Sequence, residues 1–135
     1  MRFTLVVIAL AIAAPHHASA EHLTEVSPPQ RTKIATVAGF RDGETYVHTD
    51  ERVRLREIAR LWKALSSRST IVVEGNGVVA ADEEASIQLG QLRAERVRQW
   101  LVKFGVDPKY VVAIGNSREK PGDYVEIVAC DACER

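Results

Sequence analysis

Residues Ile71–Gly115 read IVVEGNGVVAADEEASIQLGQLRAERVRQWLVKFGVDPKYVVAIG, and their pattern decides the fold class. Thr70 to Glu74 is a short apolar run closed by Gly75-Asn76-Gly77, the signature of a buried strand followed by a turn. From Asp82 to about Phe104 the residues Leu89, Leu92, Val97, Leu101 and Phe104 recur at helical spacing, with Trp100 at the edge of the stripe. Asp82 is suited to cap this helix, and Glu83 and Glu84 favour its positive end. Gly105 stands where a helix-ending glycine belongs, with Pro108 just beyond. Tyr110 to Ile114 is β-branched and apolar, so the segment predicts strand, loop, long helix, turn and strand.

Upstream, Lys33 to Phe40 predicts a first strand, and Asp42-Gly43 marks a turn. Glu44 to Thr49 is open to two readings, a loop or the second strand of a hairpin. A helix follows, capped by Thr49 or Asp50, with Val53, Ile58, Ala59, Trp62 and Leu65 near helical spacing until Ser66, Ser67 and Ser69 break it. Downstream, a turn over Arg118 to Gly122 leads into a last strand over Asp123 to Val128. The order β-α-β-α-β-β predicts an α+β two-layer sandwich, with two helices packed on one face of a mixed four-stranded sheet.

The chain opens with a secretory pattern. Met1 and Arg2 form a positive start, Phe3 to Ala14 an apolar run, and Ala18-Ser19-Ala20 a small-residue cleavage site. That run is short of the ~20 apolar residues a spanning helix needs, and Glu21 rather than cysteine follows the site, so a lipid anchor is not expected. The expected organisation is a signal peptide over 1–20, a flexible leader over 21–32, one domain over 33–129 and a tail over 130–135. No transmembrane segment is expected in the mature chain. The 135 residues carry 18 basic and 18 acidic side chains, a balance that gives no reason to expect nucleic acid as a partner. The two cysteines, Cys130 and Cys133, are most simply a disulfide in an exported protein. A redox Cys-x-x-Cys would want its first sulfur at a helix N-terminus, and here the pair follows the strand-like run Tyr124 to Val128. No metal site or cofactor is expected, since only His22 and His48 remain to add ligands.

The second helix carries Leu89-Gly-Gln-Leu-Arg93-Ala94, then Val97, Trp100-Leu101 and Gly105-Val106. This resembles the Leu-Ser-x-x-Arg-Ala motif of OmpA-like peptidoglycan-binding domains, with its following valine, aromatic-leucine pair and Gly-Val. Phe40 to Leu55 and Tyr124-Val-Glu126-Ile can be laid on other parts of the same pattern, so the resemblance covers nearly the whole mature chain. It implies non-covalent binding of the diaminopimelate residue of a peptidoglycan stem peptide. In the family an Asp in a Gly-His-Thr-Asp turn pairs with the ligand ammonium, and the motif arginine pairs with its carboxylate. Here that arginine is Arg93, while Gly75-Asn76-Gly77-Val78 occupies the turn and Val78 offers no charge. Asn76 can still accept a hydrogen bond. The first-strand Asp of some members falls at Arg41, and the double Arg of the last strand is replaced by Asp123-Tyr124.

The resemblance therefore implies a ligand site of Arg93, Asn76 and Gly77, in a module of the Gram-negative periplasm or outer-membrane envelope whose binding is weakened or lost. The alternative is a degenerate domain acting as a protein-interaction or structural module of the envelope, with the exposed Val78-Val79-Ala80-Ala81 loop serving a protein partner. The mature chain has no Ser-His-Asp or Cys-His set and no phosphate loop, so a non-enzyme is expected.

Overall fold

The computed structural model describes residues 28–65, 69–116, 122–131 and 133. The expected signal, the leader before Pro28, Ser66, Ser67 and most of the Arg118–Gly122 turn lie outside the described residues. Four strands, β1 (Gln30–Val37), β2 (Thr70–Gly75), β3 (Val111–Gly115) and β4 (Val125–Asp131), and two helices, α1 (Thr49–Ala64) and α2 (Glu83–Lys103), follow the expected order. A 3₁₀ turn, Pro108–Tyr110, precedes β3. The stretch 41–48 is a loop, not a strand.

The sheet order is β1-β4-β2-β3. β4 pairs antiparallel with both β1 and β2, and β2 pairs parallel with β3, so the sheet is mixed. Alternation along the strands separates the faces. Ile71 and Val73 of β2 and Val125 and Ile127 of β4 pack with α1 and α2. Val72, Val128 and Cys130 form a small cluster on the opposite face, with Cys133 against it. Cys130 and Cys133 lie at disulfide distance, their Cα atoms 5.6 Å apart. Cys130 sits inside an extended strand, where no helix dipole activates a thiolate.

Both helices depart in detail from the sequence reading. The buried residues of α1 are Leu55, Ala59 and Trp62, whereas Val53 and Leu65 are exposed. Position 55 is four before Ala59, so it shares the stripe that 53 does not. His48, not Thr49 or Asp50, is the N-cap residue of α1, and its side chain makes no capping bond. The imidazole instead bonds through Nε2 to the Gly39 carbonyl at 2.9 Å, tying the two ends of the 39–48 loop. In α2, Asp82 caps as expected, its carboxylate accepting from the Ala85 N–H at 2.9 Å. At the other end the Gly105 N–H donates to Val102 and the Val106 N–H to Leu101, with Gly105 at φ +102°. That pair of bonds is the Schellman arrangement, which glycine adopts without a Cβ penalty. Leu92, assigned to the apolar stripe, is exposed, and Arg93 is buried in its place.

Glycine sets the depth of α2. A Cβ on Gly75 would lie 1.8 Å from the Gly90 carbonyl oxygen, and one on Gly90 would lie 2.4 Å from that of Gly75. Gly115, the register partner of Gly75, would place a Cβ 2.4 Å from the Ile87 carbonyl. The helix therefore rests directly on the backbone at the ends of β2 and β3. Neither Gly75 nor Gly77 has a positive φ, so close approach rather than turn geometry is what requires them.

Candidate functional site

At this end of the sheet three chain segments converge on Arg93: the 41–44 turn, the start of the β2–α2 loop, and the residues preceding β4. The side chain is fully buried. Its Nε donates to the Glu44 carbonyl at 2.8 Å, and one terminal nitrogen donates to the Arg41 carbonyl at 2.9 Å. The other terminal nitrogen donates to the Asn76 carbonyl at 2.9 Å and to Asp123 Oδ1 at 2.6 Å. The guanidinium carbon lies 5.0 Å from the centre of the buried Phe40 ring, close enough for a cation–π contribution. Four of the five guanidinium N–H donors are thus engaged within the chain.

The local reasons are legible. Gly39 and Gly43 hold positive φ, and the Glu44 N–H closes a turn on the Arg41 carbonyl. Phe40 and Val47 anchor this loop in the core. The loop's inward carbonyls need donors, because an unpaired buried carbonyl costs about 1–3 kcal/mol. Arg93 supplies them, and Asp123 balances its charge. Asp123 is 38% exposed at the side chain, so only one partner of the pair is out of water.

The expected site residues occupy this one region. Asn76 is buried; its N–H donates to the Tyr124 carbonyl at 2.8 Å and its own carbonyl receives Arg93. Gly77 is buried, and a Cβ there would meet the Leu89 side chain at 2.7 Å. Val78 and Val79 are exposed beside it. Asp42, Gly43, Val78, Val79, Ala80 and Asp123 line an open cleft of about 520 Å³. The cleft presents two carboxylates and an apolar loop, with the guanidinium underneath. Tyr124, next along the chain, titrates above its ordinary range, chiefly from burial and secondarily from Glu126, with Lys33 opposing.

Sequence reasoning missed Asp123 as the partner of Arg93. The one available signal was the acid itself, placed immediately before the last strand.

A second cleft, of about 530 Å³, opens on the far side of Gly43 and is lined by Glu44, Tyr46, Arg52, Arg96 and Trp100. Among the described residues, no group of three or more His, Cys, Asp or Glu is placed to hold a metal ion, and no helix is long and apolar enough to cross a membrane.

A four-stranded mixed sheet with two helices on one face, and an arginine of the second helix beneath the loop after β2, defines the class of small α+β domains to which the helix-two motif pointed. The match to the OmpA family spans residues 39–126, and the chain belongs to that family. Among solved structures it is similar to the peptidoglycan-associated lipoprotein of Burkholderia pseudomallei, at 22% identity and TM-score 0.61, covering 71% of this chain and 89% of that one. It is also similar to the periplasmic domain of MotB from Helicobacter pylori, at 21% identity and TM-score 0.57, covering 76% and 81%. The OmpA-like domain of FopA1 from Francisella tularensis matches at 16% identity and TM-score 0.58, covering 76% and 71%. At these identities the likeness is one of fold. No curated protein matches the chain.

Proposed function

We propose that this chain is a non-catalytic binding module of the bacterial envelope. It holds the peptidoglycan stem peptide weakly, at the cleft above Arg93. The observation that carries the reading is the position of Arg93 itself, on α2 directly beneath the loop that follows β2. Weak binding follows from two features of the same place. The guanidinium that would meet the diaminopimelate carboxylate is already paired with Asp123. The position that would meet the ammonium is Val78, leaving Asp42 and Asp123 as the carboxylates of the cleft. Asn76, buried and bonded through its backbone, and Gly77, packed on Leu89, shape the site from below. Export through residues 1–20 and a Cys130–Cys133 disulfide suit a periplasmic setting.

A pelleting assay with purified sacculi tests this. The wild-type domain is expected to sediment weakly and Val78→Asp more strongly, because a carboxylate is restored where the family keeps one. Absence of pelleting by both proteins would sink the reading. A second reading is favoured by the exposure of Val78 and Val79: the loop serves an envelope protein partner instead. Under that reading Val78→Asp abolishes a cross-link to the partner and adds nothing to sacculus binding.

A further inference from the structure

The cleft on the far side of Gly43 differs in charge from the one above Arg93. Gly43 lines both, so the two are neighbours across a single turn. Arg52 is half-buried in it, with its guanidinium carbon 5.1 Å from the Tyr46 ring centre and 4.9 Å from that of Trp100. Its Nε donates to the Val47 carbonyl at 2.9 Å, and a terminal nitrogen donates to the Tyr46 hydroxyl. The side chain is thus fixed in place with two of its five donors used. Arg96 also lines the cleft, exposed, with a single long bond of 3.4 Å to Gln99. Among the described residues no carboxylate forms an ion pair with either arginine. Lys103 is outside the lining, its Nζ 4.6 Å from the Trp100 ring centre.

An exposed helical arginine by itself is ordinarily a solvated surface group. Arg52 is not in that position, because two rings and a backbone carbonyl hold it still before anything binds, which lowers the ordering cost of engaging a ligand. The charge sets the ligand. Glu44 is the one acid among the lining residues, so Arg52, Arg96 and Glu44 leave a single net positive charge at the wall. That balance suits a monoanionic carboxylate better than a doubly charged phosphate. Guanidinium groups grip a carboxylate through paired donors, and the Trp100 face offers an apolar platform beside it.

We propose that this cleft binds a carboxylate, clamped between Arg52 and Arg96, whose adjoining apolar face rests on Trp100. Together with the acidic cleft across Gly43, it forms a bipolar surface on which an amino group and a carboxylate of one peptide can be held on opposite sides of the turn. The choice of cell-wall probes rests on the function proposed above, whereas the cleft's chemistry does not.

Two-dimensional NMR of the 15N-labelled domain tests it with three probes. These are the stem tripeptide Ala-γ-Glu-diaminopimelate, the same tripeptide with its carboxylates amidated, and a peptide-free disaccharide of N-acetylglucosamine and N-acetylmuramic acid. The tripeptide, or the disaccharide if the carboxylate is the sugar's, is expected to shift Tyr46, Arg52, Arg96 and the Trp100 indole. Amidation is expected to remove the effect, and Arg96→Gln to weaken binding about tenfold, the worth of one charged hydrogen bond. No shift at these residues from either acid, equal binding by the amidated peptide, or unchanged affinity in Arg96→Gln overturns the proposal. Sacculus pelleting separates the two claims. Pelleting that Arg96→Gln leaves unchanged keeps the envelope reading and removes this one. Binding of a free acid at Arg96 by a domain that does not pellet does the reverse.

Discussion

Arg93 and Arg96 stand one turn apart on the same helix and have opposite fates. Arg93 is wholly buried and donates four hydrogen bonds to its own chain, including one to Asp123. Arg96 is exposed and makes one long bond to a neighbouring glutamine. Position 93 shares the inner stripe with Leu89, Ala94, Val97 and Leu101, and position 96 does not. The residue type is the same, so the difference comes from what the rest of the chain brings to each place. A guanidinium beneath a loop becomes part of the loop. One on the exposed face of the helix remains available.

The contrast can be broken most directly at Arg93. Arg93→Ala removes the donors for three backbone carbonyls and the partner of Asp123, and is expected to cost about 3–5 kcal/mol in urea unfolding. A loss below about 1 kcal/mol would mean the loop holds itself together and the arginine is a spectator. Next in size is Gly90→Ala, which drives a methyl into the Gly75 carbonyl and lifts the helix that carries both arginines. It is expected to cost about 1–3 kcal/mol despite alanine's better helix propensity. A stabilised variant would show that α2 can back away from the sheet.

Asp123→Asn sharpens the comparison, since it turns Arg93 toward the condition of Arg96. Water reaches the half-exposed partner, so the loss is expected to be about 1–2 kcal/mol, less than for a pair buried at both ends. Sacculus pelleting should rise, because the guanidinium is no longer neutralised from within; a fall would show that Asp123 itself holds the ligand. Arg96→Gln is the smallest change, within about 0.5 kcal/mol of wild type in thermal melts. A larger destabilisation would make Arg96 structural as well.

Much of the fold was legible because its signals are local. The Asp82 cap and the Gly105 stop depend on residues a few positions away, and both formed as the spacing predicts. The stripe of α1 was misassigned at Val53 because helical spacing near a helix start admits more than one face, and only the sheet beneath selects Leu55. At the site, Arg93 was recognisable from its motif, but its surroundings were not. Its partners Arg41, Glu44 and Asp123 lie 52, 49 and 30 residues away. Gly75 reads as part of a turn and Gly90 carries no reading of its own, since no local pattern announces that two backbones will touch.

By itself the sequence determined the order of the elements, the caps and stops of α2, and the family motif centred on Arg93. Those follow from spacing and from side-chain chemistry, which a single stretch of chain contains. Only the tertiary structure decided that Arg93 faces its own carbonyls and Asp123, that glycine contact sets the height of α2, and that Arg52 and Arg96 share a cleft with Trp100. Each of these joins groups that become neighbours only when the two helices settle on the sheet.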